Sequence, residues 1–451
     1  MAGNGRNEAE GMKALVVGLG KSGIAAAEAL NRLGAEVSVY DGVHSEENAA
    51  WAEKNGFPAE FGDRPGLKEP LDMLVLSPGV PVDSGYVSEA AEKGVKITGE
   101  LEMAWHLGKG KYIAITGTNG KTTTTTLAGE IFRNAGKKTE IVGNIGVAVM
   151  SKALDADDDT YMITECSSFQ LETADTFCPE VSALLNVTPD HLNRHKTMEN
   201  YTAAKAKIFA NQKEDAYYVY NADDEICRKT AEECRAVTVP FSRKEELEFG
   251  AFVKDGMLVI ADGSSLVSLC RTEELQIPGL HNLENALAAA AMAYFAGIPA
   301  EHITYTLKNF QGVEHRIERC GVKNGVAFVN DSKGTNPDAA VKAVISFRDI
   351  ILIAGGYDKG SEYGEFVGSF DGRVKELVLM GATAEKIRAA AENAGFNNIH
   401  MVRDMKEAVE TSYRLASPGD TVLLSPACAS WDMYAKFEDR GDDFKQCVRE
   451  L

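Results

Sequence analysis

The chain has 451 residues and a formal net charge of −20, which argues against nucleic acid or an anionic membrane as a partner because both attract basic surfaces. A hydrophobic content of 44% is typical of a folded globular protein, and a length of about 150 residues per domain predicts three domains. The eight cysteines form no C-x-x-C pair, and no apolar stretch reaches the roughly 18 residues of a membrane span, so we expect a cytoplasmic protein without disulfides, zinc or a membrane helix.

The first hundred residues predict a strand, a glycine turn and a helix. An apolar run at 12–17 leads into the turn GLGKSG at 18–23, and an alanine-rich helical pattern covers 24–33. Two further strands are predicted at 36–40 and 73–76. A G-x-G-x-x-G turn with an acid at the next strand end is typical of dinucleotide sites, although the geometry suits any diphosphate-linked nucleoside and a purely structural turn remains the alternative.

The most informative segment, YIAITGTNGKTTTTT at 112–126, places a glycine loop, a lysine and a row of hydroxyls directly after an apolar strand. Backbone amides at the start of the following helix would face phosphate oxygens. Lys121 would reach the β- and γ-phosphates, and Thr122 would offer its hydroxyl to a phosphate-bound Mg²⁺. The loop departs from the strict phosphate-loop spacing because Ile115 stands where a glycine is usual, and an ordinary turn with a solvated lysine is the alternative reading.

Polar residues follow the next two predicted strands of the same region, at 161–164 and 181–185. Glu165 ends the first of them, while Asp190 and His191 follow the second, so a carboxylate and an imidazole are delivered to one sheet edge. Mg²⁺ prefers oxygen ligands, which suits Glu165 better than His191. By composition alone, Lys205 on the helical stretch 201–210 reads as a surface lysine.

The last third of the chain predicts another α/β domain. Strands are predicted at 326–330, 350–353, 376–380 and 421–425, after an alanine-rich helix at 282–295. Arg316 precedes the first of these strands and could pair with a phosphate, whereas Asp331 follows it and could bind a ribose diol. The loops 355–360 and 425–432 leave strand ends and are either substrate loops or ordinary βα turns.

These patterns predict an α/β protein of three domains with mainly parallel sheets. The expected domains are an N-terminal Rossmann-like domain at 1–107, a central P-loop ATPase-like domain at 108–312 and a C-terminal Rossmann-like domain at 313–451.

The motifs together resemble those of a known enzyme family. TGTNGKTT, SSFQLE, NVTPDHLNRH, YTAAKAKIF, HNLEN, EHRIE, NDSKGTN and SPACASWD occur in this order between residues 116 and 432. The chain resembles the Mur ligases of peptidoglycan synthesis from about Lys13 to its C-terminus. The resemblance implies an ATP-dependent amide ligation with two Mg²⁺ ions, in which the carboxylate of UDP-N-acetylmuramoyl-L-alanine becomes an acyl phosphate and is attacked by the amine of D-glutamate.

The resemblance also assigns roles to single residues. It implies catalytic roles for Lys121, Glu165, His191, Lys205 and Asn144. It implies ATP contacts from Gly117, Thr118, Asn119, Gly120, Lys121, Thr122, Thr123, Asn282, Asn285, Arg316 and Asp331. The implied UDP-substrate site comprises Gly18, Gly20, Lys21, Ser22, Asp41, Ser77 and Asn144. The implied D-glutamate pocket comprises Lys333, Thr335, Lys359, Ser430 and Phe437. The implied metal ligands are Thr122, Glu165, His191 and, once carbamylated, Lys205.

Some features leave alternatives open. Gly42 and Val43 stand where some members carry a hydroxyl and an arginine, and Asp358 precedes Lys359 where some relatives have glycine. Another amino-acid-adding Mur ligase or a folylpolyglutamate synthetase-like ligase would share the central chemistry. An NAD-dependent oxidoreductase would explain the first domain alone, and a nucleotide-gated binding protein would need no catalytic set. We expect a monomer that binds only small-molecule substrates.

Overall fold

The computed structural model describes residues 9–67, 70–358 and 360–451. These residues divide into two compact units. The first unit comprises the described residues up to Gln276 together with Leu280–Phe310, and the second comprises Ile277–Gly279 and Gln311–Leu451. The predicted boundaries of three domains remain a prediction.

The first unit begins with a five-stranded parallel sheet in the order β3-β2-β1-β4-β5. Its strands are β1 (Lys13–Val17), β2 (Glu36–Asp41), β3 (Ala59–Phe61), β4 (Met73–Leu76) and β5 (Lys96–Gly99), and its helices are α1 (Lys21–Arg32), α2 (Glu46–Asn55), α3 (Gly85–Glu92) and α4 (Glu100–Leu107). Successive residues of β1 enter different cores, since Ala14 and Val16 belong to one hydrophobic cluster and Leu15 and Val17 to another. Burial on both faces explains why β1 reads as a continuous apolar run.

A second sheet of the first unit has nine strands in the order β14-β13-β12-β11-β10-β9-β6-β8-β7. These strands are β6 (Lys111–Thr116), β7 (Thr139–Gly143), β8 (Tyr161–Glu165), β9 (Val181–Leu184), β10 (Tyr217–Asn221), β11 (Val237–Ser242), β12 (Phe249–Lys254), β13 (Met257–Asp262) and β14 (Leu266–Arg271). All pairs are parallel except those of β13 with β12 and β14. Because β6 lies between β8 and β9, the loops that follow these three strands meet at one sheet edge.

Eight helices accompany this sheet in the described part of the first unit. They are α5 (Lys121–Asn134), α6 (Met150–Ala153), α7 (Ser168–Glu172), α8 (Leu192–His195), α9 (Met198–Ala206), α10 (Glu225–Glu232), α11 (Leu280–Phe295) and α12 (Ala300–Asn309). Helix α11 packs against α5, and its alanines at 288–291 are fully buried. Small side chains allow the two helix backbones to approach closely, which places the start of α11 beside the phosphate loop.

The second unit contains a six-stranded sheet in the order β15-β16-β20-β17-β18-β19, with β15 antiparallel and the other strands parallel. Its strands are β15 (Glu318–Lys323), β16 (Val326–Asn330), β17 (Ile350–Ala354), β18 (Val374–Leu379), β19 (Ile399–Met401) and β20 (Thr421–Leu424), and its helices are α13 (Pro337–Ile345), α14 (Gly364–Gly368), α15 (Ala384–Asn393), α16 (Met405–Leu415) and α17 (Phe437–Glu450). The α/β prediction is therefore confirmed, and each predicted strand lies within about two residues of an observed one. No helix in the described ranges is long and apolar enough to cross a membrane.

Candidate active site

The phosphate loop runs from the end of β6 to the start of α5, as the sequence predicts. Gly117 and Gly120 have φ angles of 159° and 84°. A Cβ at Gly120 would lie 2.3 Å from Oδ1 of Asn285 at the start of α11, so only glycine fits there. Thr122 and Thr123 are buried in the first turn of α5. The loop thus presents the backbone amides of a 14-residue helix start, which favours an anion.

Lys121 and Lys205 lie on different helices and donate to the same atom. The Nζ atoms of Lys121 and Lys205 each lie 2.8 Å from the carbonyl oxygen of Gly117. Lys205 is 1% exposed, and its ammonium also lies 4.5 Å from the centre of the Tyr201 ring. Burial, with the nearby Lys121 charge as the second cause, lowers the pKa of Lys205 well below its usual value. The composition-based expectation of a surface lysine is therefore wrong.

Glu165 is the last residue of β8, and only one of its two carboxylate oxygens accepts a hydrogen bond from the described residues. Its Oε1 accepts a hydrogen bond of 2.7 Å from the side-chain amide of Asn144, and the Asn144 backbone N–H donates to the Glu165 carbonyl. Its Oε2 is buried and has no hydrogen-bond partner among the described residues. A Cβ at Gly143 would lie 2.2 Å from the Glu165 carbonyl oxygen, so this close approach requires glycine. A buried carboxylate oxygen without a donor is suited to a cation ligand.

The loop after β9 is fixed to the phosphate loop by a set of hydrogen bonds that the sequence did not predict. The side chain of Asn186 accepts from the Asn119 N–H at 2.8 Å and donates to the Asn119 carbonyl at 3.1 Å. The Thr118 hydroxyl donates to the Thr188 carbonyl and accepts from the Thr188 N–H. His191 follows in this loop with a φ of 53°, and its side chain is about half exposed. The structure therefore brings His191 to the same sheet edge as Glu165 and Lys121.

A partly buried cluster next to His191 was also missed. Arg194 makes a bidentate ion pair with Glu172. The ring of His195 lies between Glu172 and the hydroxyl of Ser168. The Phe169 ring lies near His191, His195 and Arg194, at centroid distances of 4.8 Å and 5.5 Å for the two imidazoles. Burial lowers the pKa of His195, so its neutral form holds these contacts. The sequence signal was the mainly polar segment 190–195, which contains Arg194 and His195, whereas their partners lie in the segment SSFQLE.

The start of α11 completes the phosphate-loop region. Asn282 and Asn285 are both buried, and Asn285 donates to Asn282 while accepting from the hydroxyl of Thr124. The Asn285 amide oxygen lies beside Gly120, so the two amides border the phosphate loop, and their contact with ATP stays a prediction.

The glycine turn of the first sheet is closed by two side chains. The Ser77 hydroxyl donates to the Gly18 carbonyl at 2.6 Å, and a Cβ at Gly23 would lie 1.9 Å from that same carbonyl oxygen. Asp41 accepts from the Leu19 N–H at 2.6 Å and from the Val43 N–H at 2.9 Å. The Asp41 carboxylate therefore holds the turn itself, which the dinucleotide reading did not anticipate. Gly20 caps α1, and Lys21 and Ser22 occupy its first turn.

The polar loops of the second unit lie around Asp331 and Ser430. Asp331 accepts from the Ser425 hydroxyl at 2.7 Å, and burial raises the pKa of Asp331 to about 7 although Arg316 opposes this shift. Ser430 is 2% exposed, and its hydroxyl has no hydrogen-bond partner in the described part of the chain. The Lys333 ammonium lies 5.9 Å from the centre of the Phe437 ring.

Thr335 and Lys359 are the remaining residues of the predicted D-glutamate pocket. The Thr335 N–H donates to the Lys333 carbonyl, which keeps both residues in one tight turn. Lys359 lies outside the described residues.

A buried arginine joins the loops of the second unit and was absent from the predicted set. Arg440 is 1% exposed and donates to the backbone carbonyls of Ser332, Cys428 and Ala429, and to the Ser332 hydroxyl. Burial lowers the pKa of Arg440 to about 10, which still leaves it charged at neutral pH. It lies in the segment FEDRGDDF, where no local pattern distinguishes it from an exposed charged residue.

Another cluster of the second unit has the spacing of a metal site but already holds a cation. Ligand atoms of Glu314, His315 and Asp442 lie within 4.8 Å of one another. The Lys445 ammonium pairs with both Glu314 and Asp442. The lysine therefore supplies the positive charge that these carboxylates require.

Sequence comparisons match all three regions of the chain. Residues 12–99 match the Mur ligase MurD-like N-terminal domain, 115–293 the Mur ligase middle domain and 315–428 the Mur ligase glutamate ligase domain. The chain is 49% identical over 451 residues to the UDP-N-acetylmuramoylalanine–D-glutamate ligase of Thermoanaerobacter sp. (strain X514), covering 98% of this chain and 99% of the relative. The chain belongs to the Mur ligase family. The enzyme of that name from Clostridioides difficile (strain 630) is 46% identical over 450 residues, covering 98% and 99% of the two chains.

Solved structures agree with this Mur ligase in fold. The UDP-N-acetylmuramate–alanine ligase of Thermotoga maritima has a TM-score of 0.58 at 19% identity, covering 97% of this chain and 99% of the other. A MurF ligase from Thermotoga maritima in complex with ADP has a TM-score of 0.57 at 18% identity, covering 98% and 96%. As a Mur ligase the protein is an enzyme, so the alternatives of an NAD-dependent oxidoreductase and of a binding protein without turnover are wrong.

Proposed function

We propose that this Mur ligase joins D-glutamate to UDP-N-acetylmuramoyl-L-alanine in cytoplasmic peptidoglycan precursor synthesis, with conversion of ATP to ADP and phosphate. The observation that carries the proposal is the 49% identity, over nearly the whole of both chains, to a relative named for this substrate pair. In the proposed reaction, the substrate carboxylate attacks the γ-phosphorus of ATP and the bond to ADP breaks. The amine of D-glutamate then attacks the acyl carbon of the resulting acyl phosphate, and phosphate leaves as the amine loses its proton.

ATP binding is proposed at the phosphate loop of the first unit. The triphosphate would accept hydrogen bonds from the amides at the start of α5, and Lys121 would move from the Gly117 and Thr118 carbonyls to phosphate oxygens. Asn282 and Asn285 border this loop, and we assign Arg316 and Asp331 to the nucleotide as well. Attack of one anion on another requires positive charge and aligned donors at the transferred phosphoryl group.

The residues near the loop fit Mg²⁺, and we propose two ions. Glu165 supports this assignment because its buried Oε2 has no donor among the described residues, and Thr122 offers a hydroxyl in the first turn of α5. His191 is the proposed ligand of the second ion. The ions would neutralise phosphate charge, which lowers the barrier to the approach of a carboxylate.

We also propose that Lys205 is carbamylated in the active enzyme. Its lowered pKa favours the neutral amine, which adds to carbon dioxide to form an N–C bond with loss of one proton. The product is a carboxylate that turns a buried cation into an anion, and this suits a second metal ion beside Lys121. Asn144 would face the reacting carboxylate, since its side chain is already held by Glu165.

We propose the remaining substrate sites separately in the two units. The UDP moiety is assigned to the glycine turn 18–23 with Ser77, and the pyrophosphate would lie at the start of α1. D-Glutamate is assigned to Lys333, Thr335, Lys359, Ser430 and Phe437, where the buried Ser430 hydroxyl is available to a carboxylate.

The test is phosphate release by the full chain with ATP. The twenty common amino acids and the D-isomers of the chiral ones are supplied singly, each with and without UDP-N-acetylmuramoyl-L-alanine, and a folate substrate is supplied in a separate assay. We expect release only when D-glutamate and UDP-N-acetylmuramoyl-L-alanine are both present. Release with another amino acid would favour a different amino-acid-adding Mur ligase, and release with a folate substrate would favour a folylpolyglutamate synthetase-like ligase. A monomeric state is proposed too, and a dimer mass in light scattering would contradict it.

A further inference from the structure

Arg194 contacts two segments of the first unit, one that follows a strand of the five-stranded sheet and one that follows a strand of the nine-stranded sheet. One amine nitrogen of its guanidinium donates to the Val80 carbonyl at 2.8 Å, in the loop that follows β4 of the five-stranded sheet. The same group pairs with Glu172 of α7 at 2.5 Å, beside the nine-stranded sheet. Its side chain is 14% exposed, so solvent screens these contacts little.

On the side of the five-stranded sheet, the contact reaches the proposed UDP site. The Val80 N–H donates to the Ser77 carbonyl, and the Ser77 hydroxyl donates to the Gly18 carbonyl in the glycine turn. Two hydrogen bonds and one tight turn therefore separate Arg194 from the turn proposed to hold the pyrophosphate.

On the side of the nine-stranded sheet, the contact reaches His191. The N–H groups of Arg194 and His195 both donate to the His191 carbonyl, so the three residues share one helical turn. Phe169 packs against the side chains of all three, and Glu172 pairs with both Arg194 and His195. A shift of Arg194 would thus move the backbone that carries His191.

We propose that Arg194 is a positioning residue that couples occupancy of the UDP-substrate turn to the placement of His191. The inference rests on the proposed function, in which His191 is a metal ligand. Substrate that orders the Ser77–Val80 loop fixes the Val80 carbonyl, which fixes Arg194 and the turn bearing His191. By linkage, a metal ion that holds His191 must strengthen substrate binding by the same factor.

The decisive variant is Arg194→Lys. It keeps the positive charge but loses the planar guanidinium, which donates to Glu172 and to the Val80 carbonyl at the same time. Arg32→Lys is the control, because Arg32 of α1 pairs with Asp155 after α6 at 2.7 Å and so joins segments beside the same two sheets, at an exposed position away from His191. The full-length protein is assayed by phosphate release. The readouts are KM for UDP-N-acetylmuramoyl-L-alanine, KM for D-glutamate and the half-saturating Mg²⁺ concentration at low and high UDP substrate.

In the wild type, we expect high UDP substrate to lower the half-saturating Mg²⁺ concentration. Arg194→Lys should abolish this dependence and raise the KM for the UDP substrate about tenfold, a typical size for coupling between sites. The KM for D-glutamate should stay within about twofold of the wild-type value, as a control on the reaction itself. Arg32→Lys should preserve the dependence. If Arg194→Lys retained it and changed only the melting temperature, the proposal would be overturned.

Glu172→Gln provides a second route should Arg194→Lys fail to fold. It removes the charge that holds the Arg194 guanidinium in place but leaves the Val80 carbonyl as an acceptor, so a partial loss of the dependence is expected and an unchanged dependence would contradict the proposal. Calorimetry separates this proposal from the proposed function. If the wild type released no phosphate with D-glutamate, the reaction assignment would fail, whereas binding of Mg²⁺–ATP analogue with and without the UDP substrate would still measure the coupling.

Discussion

Lys121 and Lys205 donate to one acceptor, the carbonyl oxygen of Gly117, with both Nζ atoms at 2.8 Å. Two charged ammonium groups on one oxygen would repel each other, and Lys205 is nearly fully buried, so its neutral amine is favoured. Burial is the larger cause of the lowered pKa of Lys205 and the neighbouring charge the second. Conversion of Lys205 to a carbamate would replace this repulsion by attraction.

Lys205→Ala is expected to lose at least about a hundredfold in phosphate release, because the proposed carbamate contributes to metal binding and charge neutralisation. Small carboxylic acids such as formate or acetate should restore part of the activity by occupying the vacated volume. Lys213→Ala, at an exposed position of the same unit, is the control and should behave as wild type. Failure of every acid tested would contradict carbamylation.

Lys121→Ala should abolish turnover and also reduce carbamylation of Lys205. Removal of the neighbouring positive charge raises the pKa of Lys205, so less of the reactive neutral amine is present at a given pH. The carbamate also loses a favourable cationic neighbour. Carbon-13 NMR of protein equilibrated with labelled bicarbonate would show a weaker carbamate signal than in the wild type; an unchanged signal would disprove the coupling.

Glu165→Gln should weaken Mg²⁺ activation without unfolding the protein. The amide oxygen can still accept from Asn144, while the neutral Nε2 replaces the oxygen that lacks a donor. We expect the half-saturating Mg²⁺ concentration to rise at least about tenfold, in line with the loss of a charged ligand. Unchanged Mg²⁺ activation would remove Glu165 from the metal site.

Ser430→Ala should raise the KM for D-glutamate about tenfold with little loss of stability, because the hydroxyl makes no hydrogen bond to the described residues that could be lost. Ser412→Ala is a matched control: the Ser412 hydroxyl on α16 is likewise buried without a described partner, but Ser412 lies in a helix interior away from the pocket loops. Equal KM values in the two variants would argue that Ser430 does not contact the amino acid.

Glu100 predicts a pH dependence of stability. It is fully buried at the start of α4, where one oxygen accepts from the Met150 N–H and the other has no described partner. Burial raises the pKa of Glu100 from 4.5 to about 7. Between pH 4.5 and about pH 7, Glu100 is ionised in the unfolded chain but still protonated in the native state. The free energy of unfolding therefore falls by on the order of 3 kcal/mol as the pH rises through this range.

Glu100→Gln is expected to remove this contribution. Its unfolding free energy, measured by urea denaturation, should fall less than that of the wild type between pH 5 and pH 7. Asp331, whose pKa burial also raises to about 7, contributes a slope of the same sign to both proteins and cancels in the difference. Parallel curves for the two proteins would show that Glu100 titrates normally.

The sheet and helix pattern was accessible from the sequence because each signal was local. The strand 112–116 and its glycine loop are marked by an apolar run and by residues with special φ angles. The burial of Lys205 was not accessible in the same way, since its helix shows only a weak apolar face and its acceptor lies 88 residues earlier in the chain. Only the resemblance to a family drew attention to it.

The contacts that hold loops in place could not be predicted from the sequence either. Asn186, Arg194 and Arg440 act by holding loops that are distant in the sequence, and no spacing rule links them to their partners. Polar residues after strand ends identified the correct sheet edge but not which of them binds a ligand and which supports a neighbour. That distinction depends on which atoms are already hydrogen-bonded.

The hydrogen bonds that Asp41 accepts from the N–H groups of Leu19 and Val43 limit how the first sheet can be redesigned. Both carboxylate oxygens already serve backbone amides. If Asp41 were needed to bind the ribose of a nicotinamide cofactor, another acceptor would have to replace it for the N–H groups of Leu19 and Val43. A change at Asp41 intended to alter which ribose the sheet binds would therefore also change the conformation of the glycine turn.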